Sequence, residues 1–295
     1  MQPKYEEKTF ESYFNSELDR KASIYFPFGQ VQEGGIGADA AGLARSRSLW
    51  WRLGHPYFFR VPFPGADLRE IADEMERHLG REIKNIPRMK ANLLFQYKRP
   101  EFITTKLGTE WAHWGQKYFR YDVDQDQQRL LAHVASKFGT KALVLYASPA
   151  LEDVSDLVSA KISGTIIAST NFRPAVELSA HHRNTYVKSG THSIACSDPV
   201  QLENFDLLTS LKRLRTEDAE EAREDNAEFM LQFAKGVRAL VSESSYLGGA
   251  YRRMLEPYIQ SQADRYPLFF SVITMSIFRE LSGAQWLVAT ANEDA

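Results

Sequence analysis

Two apolar runs of strand length, Asn92-Leu-Leu-Phe-Gln-Tyr-Lys98 and Lys141-Ala-Leu-Val-Leu-Tyr-Ala-Ser148, bracket a helical repeat. In that repeat Gln127, Leu130, Leu131, Val134 and Phe138 recur at helical spacing from Asp124 onward, and Gly139 stops it. Strand, helix and strand in this order form a crossover, so both strands should lie parallel in one sheet. The fold class expected is therefore α/β. Within the first run side chains alternate faces, which puts Gln96 and Lys98 on one side and Phe95 and Tyr97 on the other.

The rest of the chain reads less evenly. Phe10, Tyr13, Phe14 and Leu18 predict a helix over 6–20, and Ile24 to Phe28 reads as a short extended segment whose Pro27 suits a sheet edge. Residues 29–42 are glycine-rich and hold Glu33 and Asp39 in Gln32-Glu-Gly-Gly-Ile-Gly-Ala-Asp39. Leu49–Leu53 and Tyr57–Val61 read as strands, and Asp67 to Leu79 as a helix that Gly80 closes. Past residue 150, Gly164–Ser169 reads as a strand, 216–242 and 246–263 as long helices and 267–282 as a further apolar segment. Gln285–Val288 makes a closing strand or helix end.

A hydrophobic share of 43% with 12% aromatics is enough for a substantial core, and 295 residues make one large or two smaller domains. A single cysteine, Cys196, excludes an internal disulfide and a multi-cysteine zinc site. With no apolar leader after Met1 and no apolar run of spanning length, a cytoplasmic protein without a membrane contact is expected. Net charge is only −2, yet its distribution is uneven. Arg81, Lys84, Arg88, Lys90, Lys98 and Arg99 crowd one stretch against Glu82. Acids from Glu217 to Glu228 crowd another, where a helix start suits them.

An aspartate in a glycine-rich turn followed by a strand carrying Gln96-x-Lys98 resembles the PD-(D/E)XK nuclease superfamily, in the Gln-variant of Mrr-like restriction endonucleases. The resemblance covers about residues 5–150. It implies a restriction-endonuclease-like core: a helix, a three-stranded meander bearing the active site, then a helix and a further strand. Residues 1–150 would be that core with an insertion at about 43–90, and 151–295 a largely helical elaboration packed on it. The interval between Asp39 and Gln96 is longer than the family's usual one. The implied activity is metal-dependent DNA cleavage, by analogy in restriction or anti-phage defence.

The implied site is Asp39, Gln96 and Lys98 with a second acid, Glu33 or, on the first helix, Glu11. Asp39, Gln96 and Glu33 would hold Mg²⁺ or Mn²⁺, hard cations that take oxygen ligands. Lys98 would meet the charge that develops on the phosphate. Arg45, Arg47 and Arg52 around Trp50 and Trp51, with Arg88, Lys90 and Arg99, are the cations expected along a DNA backbone. The plainer readings are an aspartate closing its own turn, a solvated edge-strand lysine and a buried tryptophan. A catalytically silent module of the same fold, acting through a protein partner or as a homo-oligomer, is the rival function. A third reading makes the Gln-x-Lys spacing a coincidence in an unrelated α/β protein. Gly34-Gly-Ile-Gly37 lacks both the dinucleotide and the Walker spacing. The adjacent His181 and His182, with His192, are read as polar loop or strand residues, and Cys196 as a buried thiol.

Overall fold

The computed structural model describes residues 5–25, 68–216, 225–259 and 265–291. Glu33, Asp39, Arg45, Arg47, Trp50, Trp51 and Arg52, with the strands expected at 49–53 and 57–61, lie outside the described residues. From the N-terminus the elements are α1 (Glu7–Lys21), β1 (Ile24–Tyr25), α2 (Leu68–Lys84), β2 (Met89–Tyr97), β3 (Glu101–Ile103), α3 (Trp111–Trp114), β4 (Tyr118–Asp122), α4 (Gln125–Phe138) and β5 (Ala142–Pro149). There follow α5 (Val154–Ser163), β6 (Thr170–Pro174), β7 (Arg183–Tyr186), β8 (Ser193–Cys196), β9 (Val200–Leu202), α6 (Leu207–Thr216), α7 (Asn226–Glu243), α8 (Gly248–Ile259), α9 (Pro267–Ser282) and β10 (Ala284–Thr290). Two compact units result. The first holds residues 1–25, 90–218 and 283–295, and the second holds 26–89 and 219–282.

Among the described residues the first unit contains two sheets. One runs β1-β10-β2-β5-β6 and is mixed: β2 and β5 are parallel, while β1–β10 and β5–β6 are antiparallel. The crossover expected from 92–98, 124–138 and 141–148 is therefore present, with Gln96 opposite Tyr146. Asp124 caps α4 by accepting from the Gln127 N–H at 2.8 Å, and Gly139, at φ 54°, ends it. The second sheet, β3-β4-β7-β8-β9, is antiparallel throughout.

Aromatic side chains fasten α1 to one face of β2. The Phe14 ring lies 5.3 Å from Phe95 and 5.5 Å from Tyr97, and Phe10 lies 5.8 Å from Tyr97. Asn15 sits between them, accepting from the Tyr97 hydroxyl at 2.7 Å and donating to Gln285 at 2.8 Å. The buried helix face and the C-terminal strand are thus joined by satisfied polar groups, as burial demands.

Among the described residues the second unit is helical. The helix α9 is buried from Leu268 through Phe278 on nearly every face and packs against α2, α7 and α8. An apolar circumference marks it as a core helix of a globular unit. Glu76 of α2 accepts from the Leu268 and Phe269 N–H groups at 3.0 and 2.9 Å and so closes the start of α9. Asn226, at the start of α7, accepts from the Met89 N–H at 2.9 Å and donates toward the carbonyls of Ile86 and Pro87 at 3.3 Å.

Several expectations are corrected. Gly80 does not close α2, which continues to Lys84 because Met75, Leu79 and Ile83 prolong one buried face. That burial outweighs the roughly 1 kcal/mol that a mid-helix glycine costs. Residues 164–169 are turns, not a strand: the Thr165 N–H returns to Ala160 O and the Ser169 N–H to Thr165 O, both at 2.8 Å. Of the helices expected at about 216–242 and 246–263, the described residues hold Asn226–Glu243 and Gly248–Ile259, while 217–224 and 260–264 lie outside them. A boundary at 150 would cut the pairing of Pro149 with Thr170, and β10 returns to the first sheet. Among the described residues the C-terminal half supplies the strands β6 to β10 beside its five helices.

Candidate active site around Lys98

The expected alternation is present. Phe95 and Tyr97 face α1, while Gln96 lies on the side of Gln127, whose Nε2 donates to Gln96 Oε1 at 3.1 Å. Gln96 Nε2 in turn donates to the Tyr97 carbonyl at 3.4 Å. Gly283 closes over the amide, and a side chain there would meet Gln96 Nε2 at 3.3 Å. Gln96 is buried and held on three sides.

Lys98 stands just beyond the C-terminal end of β2, and its N–H continues the ladder to Ala147 O at 3.0 Å. Ends of parallel strands are where open α/β sheets place their sites. The ammonium is half-buried, 5.8 Å from the centre of the Tyr146 ring, and no ion pair within 4.0 Å reaches it among the described residues. Burial pushes its pKa down, against the opposing pull of Glu7, Asp124 and Asp122.

Glu7, in the first turn of α1, is the acid this geometry adds. Its Oε2 accepts from the Arg99 N–H at 3.2 Å, next in sequence to Lys98. Burial raises its pKa, the Arg99 N–H and Lys98 draw it down, and Glu11 one turn on raises it again. Sequence reasoning chose Glu11 from this helix and overlooked Glu7. The i, i+4 spacing of the two was the available signal.

A magnesium ion is a poor fit to the described residues alone. No group of three or more His, Cys, Asp or Glu among them could hold a metal. The Gln96 oxygen that would face an ion already accepts from Gln127. Asp39 and Glu33, the remaining expected ligands, lie outside the described residues. Moreover both edges of β2 are occupied, by β10 and β5. In the expected meander an acid-bearing strand would adjoin the Gln-x-Lys strand. Here the C-terminal strand fills that place.

The basic stretch is divided. Arg81, Lys84 and Arg88 belong to the second unit, and Lys90, Lys98 and Arg99 to the first. Arg88 is exposed and Lys90 half-buried. Arg99 Nη1 donates to the Tyr5 carbonyl at 3.4 Å and to Glu6 at 3.2 Å, so this guanidinium fastens the chain before α1 to the end of β2. The histidines form no shared site: His182 Nδ1 meets Ser197 Oγ, and His192 stacks on Trp114 at 5.2 Å. Cys196 is buried, and burial pushes its thiol up, away from nucleophilic use.

Sequence reasoning missed a charge cluster on the second sheet. Arg183 donates to Glu110 at 2.7 Å and to Asp122 at 2.6 Å, while Arg120 donates to Glu101 at 2.8 Å. Burial alone would raise the Glu110 pKa, but hydrogen bonds from Arg183, Thr109 and Tyr118 outweigh it and hold the carboxyl at about 2. Burial and that carboxylate push the Tyr118 hydroxyl up to about 12. Because the folded value of Glu110 lies below its ordinary 4.5, its contribution is full above that pH and is lost as pH falls toward about 2. Urea denaturation across this window should show falling stability, with a shallower fall in Glu110→Gln. Equal slopes would mean that Glu110 is not the titrating group.

Among the described residues no helix is long and apolar enough to cross a membrane. Comparison of the chain with protein-family models, curated proteins and solved structures gives no match in any of the three.

Proposed function

We propose that this chain is a metal-dependent DNA endonuclease of the Gln-x-Lys kind, with Lys98 as its charge-stabilising group. The observation that carries the reading is the half-buried ammonium of Lys98 at the end of a parallel strand, near Glu7 and without an ion pair among the described residues. A cation kept partly out of water without a fixed partner is poised for charge that appears during a reaction. The element order α1, β2, α4, β5 also suits a restriction-endonuclease-like core. Mg²⁺ or Mn²⁺ would supply Lewis acidity and an activated water; Asp39 and Glu33 are its proposed carboxylate ligands, and Gln96 could join them only by sharing the oxygen that accepts from Gln127. Arg45, Arg47, Arg52, Arg88 and Lys90 are the proposed contacts to DNA phosphates, and a cytoplasmic role in restriction or anti-phage defence follows from the resemblance.

The test is incubation of the full chain with supercoiled and linear DNA in Mg²⁺ or Mn²⁺. Cleavage that a chelator stops and that Asp39→Ala lacks supports the proposal. A folded wild type that never cuts rejects it. A second reading, a catalytically silent module that binds DNA or a protein partner, is favoured by the hydrogen bond locking Gln96 to Gln127 and by the occupied edges of β2. Binding without cleavage is its signature.

A further inference from the structure

Between the two sheets of the first unit lies a layer of polar side chains where an apolar interior would be the ordinary arrangement. Register places Arg173 of β6 opposite Tyr146 of β5, Asn171 opposite Ser148, and on the other sheet Tyr121 opposite Asn184. The layers meet directly. The Tyr121 and Tyr146 rings stack at 6.1 Å, the Tyr186 hydroxyl donates to Ser148 Oγ at 2.8 Å, and Asn184 Nδ2 donates to Asn171 Oδ1 at 3.2 Å.

Arg173 is wholly buried, with 0% of its surface exposed. Its Nη1 is used, donating to the Glu203 carbonyl and to Glu177. Its Nε and Nη2, the edge that takes a two-oxygen anion side-on, have no hydrogen-bond partner among the described residues. Among those residues the Asn171 Nδ2 and the Tyr146 hydroxyl, on the same stretch of β5 and β6, have none either. The Tyr121 hydroxyl lies by the Asn184 carboxamide, yet among the described residues neither it nor Asn184 Oδ1 completes a hydrogen bond. Orphaned buried donors are rare because each forfeits its hydration without recompense, and a guanidinium forfeits more. This is one cluster, donor-rich and built around a cation.

We propose that the inter-sheet layer is a binding site for a small phosphate-type oxyanion, held side-on by Arg173 Nε and Nη2 with Asn171 Nδ2 and the Tyr146 hydroxyl completing its shell. These four donor groups would take up all of the roughly four acceptor sites of a carboxylate, whereas a phosphate spreads them over at least three oxygens. Glu177 and the Glu203 carbonyl hold the other edge of the guanidinium and thereby fix the orientation of the free one. Because the groups are enclosed by both sheets, the ion is captured as the unit folds. The free ion and the terminal phosphate of a nucleotide share this chemistry. Its donors are other side chains than Gln96, Lys98 and Asp39, and although the Tyr146 ring lies 5.8 Å from the Lys98 ammonium, the test reads bound phosphate and not cleavage.

The full chain, purified in phosphate-free buffer, is denatured in acid and the supernatant assayed for phosphate and for absorbing nucleotide. Release of phosphate in proportion to chain supports the site, and accompanying nucleotide identifies the second source. Refolding in inorganic phosphate, against chloride at equal ionic strength, should raise the unfolding midpoint with rising concentration. Arg173→Met should abolish both effects. Tyr146→Phe, which keeps the ring and its packing, should weaken both and guards against a misfolded arginine variant. No released phosphate together with no midpoint shift overturns the proposal. So does an equal shift in wild type and both variants, which is the general effect of an excluded salt.

Discussion

Lys98→Ala is expected to lower Mg²⁺-dependent DNA cleavage by about 10²–10³-fold, the usual loss when one preorganised donor to a developing negative charge is removed. Folding should survive. The ammonium forms no ion pair among the described residues, and its burial lowers its pKa, so the charged form is a burden on the native state. The sign follows from linkage. A folded pKa below the ordinary 10.5 means that wild type gains stability as pH rises through the interval beneath that value. Lys98→Ala should lack this gain, measured by urea denaturation at rising pH. The cleavage rate of wild type should fall on the alkaline side earlier than an ordinary lysine would allow, because the neutral amine offers no charge. Full cleavage by Lys98→Ala would remove this residue from the reaction. Lost cleavage with an unchanged alkaline stability profile would break the link between burial and function.

What the sequence made legible followed from periodicity. The run Leu93–Tyr97 and the repeat from Gln127 to Phe138 each have a single period, and the parallel pairing of β2 with β5 follows from their order. Faces within β2 were legible for the same reason, since Phe95 and Tyr97 meet the Phe10 and Phe14 rings that the helix pattern had already set on one side. The second sheet was not legible. Its strands β3, β7, β8 and β9 are 3 or 4 residues long, too short for alternation to declare itself, and Arg183, Asn184 and Thr185 look like a polar loop. Sheet order was hidden too. The local pattern of Ala284–Thr290 says strand, but only tertiary packing puts it beside β2.

The candidate site divides along the same line. Gln96 and Lys98 could be found because their spacing is local, whereas Glu7 reaches Arg99 across a span of 92 residues. The Gln127 contact to Gln96 is similarly non-local, although the helical repeat of α4 includes Gln127. A carboxamide held by another carboxamide weakens the case for Gln96 as a metal ligand and leaves Lys98 as the residue on which the proposed activity depends. This is also why Gln96→Ala is a poorer test than Lys98→Ala. It removes the acceptor for Gln127 and empties space beneath Gly283, so a lost activity could be structural.

Glu17→Ala is expected to destabilise the chain by about 2–4 kcal/mol, since it strands two buried backbone amides at about 1–3 kcal/mol each while the Lys21 it also leaves is open to water. Glu17 is 1% exposed, on the face of α1 turned toward the end of α5. Its carboxylate accepts from the Ile166 N–H at 2.7 Å and the Ile167 N–H at 3.4 Å, and pairs with Lys21 at 2.7 Å. These contacts explain why the apolar stretch Gly164-Thr-Ile-Ile-Ala-Ser169 turns instead of extending. Two of its amides are claimed by a side chain, which a sheet ladder would otherwise use, and Lys21 also donates to the Gly164 carbonyl at 2.7 Å. Truncation leaves both amides buried without an acceptor, beside a half-exposed ammonium that has lost its counter-charge. Glu17→Gln, which keeps one carbonyl oxygen for the Ile166 N–H, should lose less. Chemical denaturation of the three chains should therefore rank wild type above Glu17→Gln and Glu17→Ala last. A change below about 0.5 kcal/mol for alanine, the level of an ordinary surface substitution, would show that the turn holds its shape without this carboxylate.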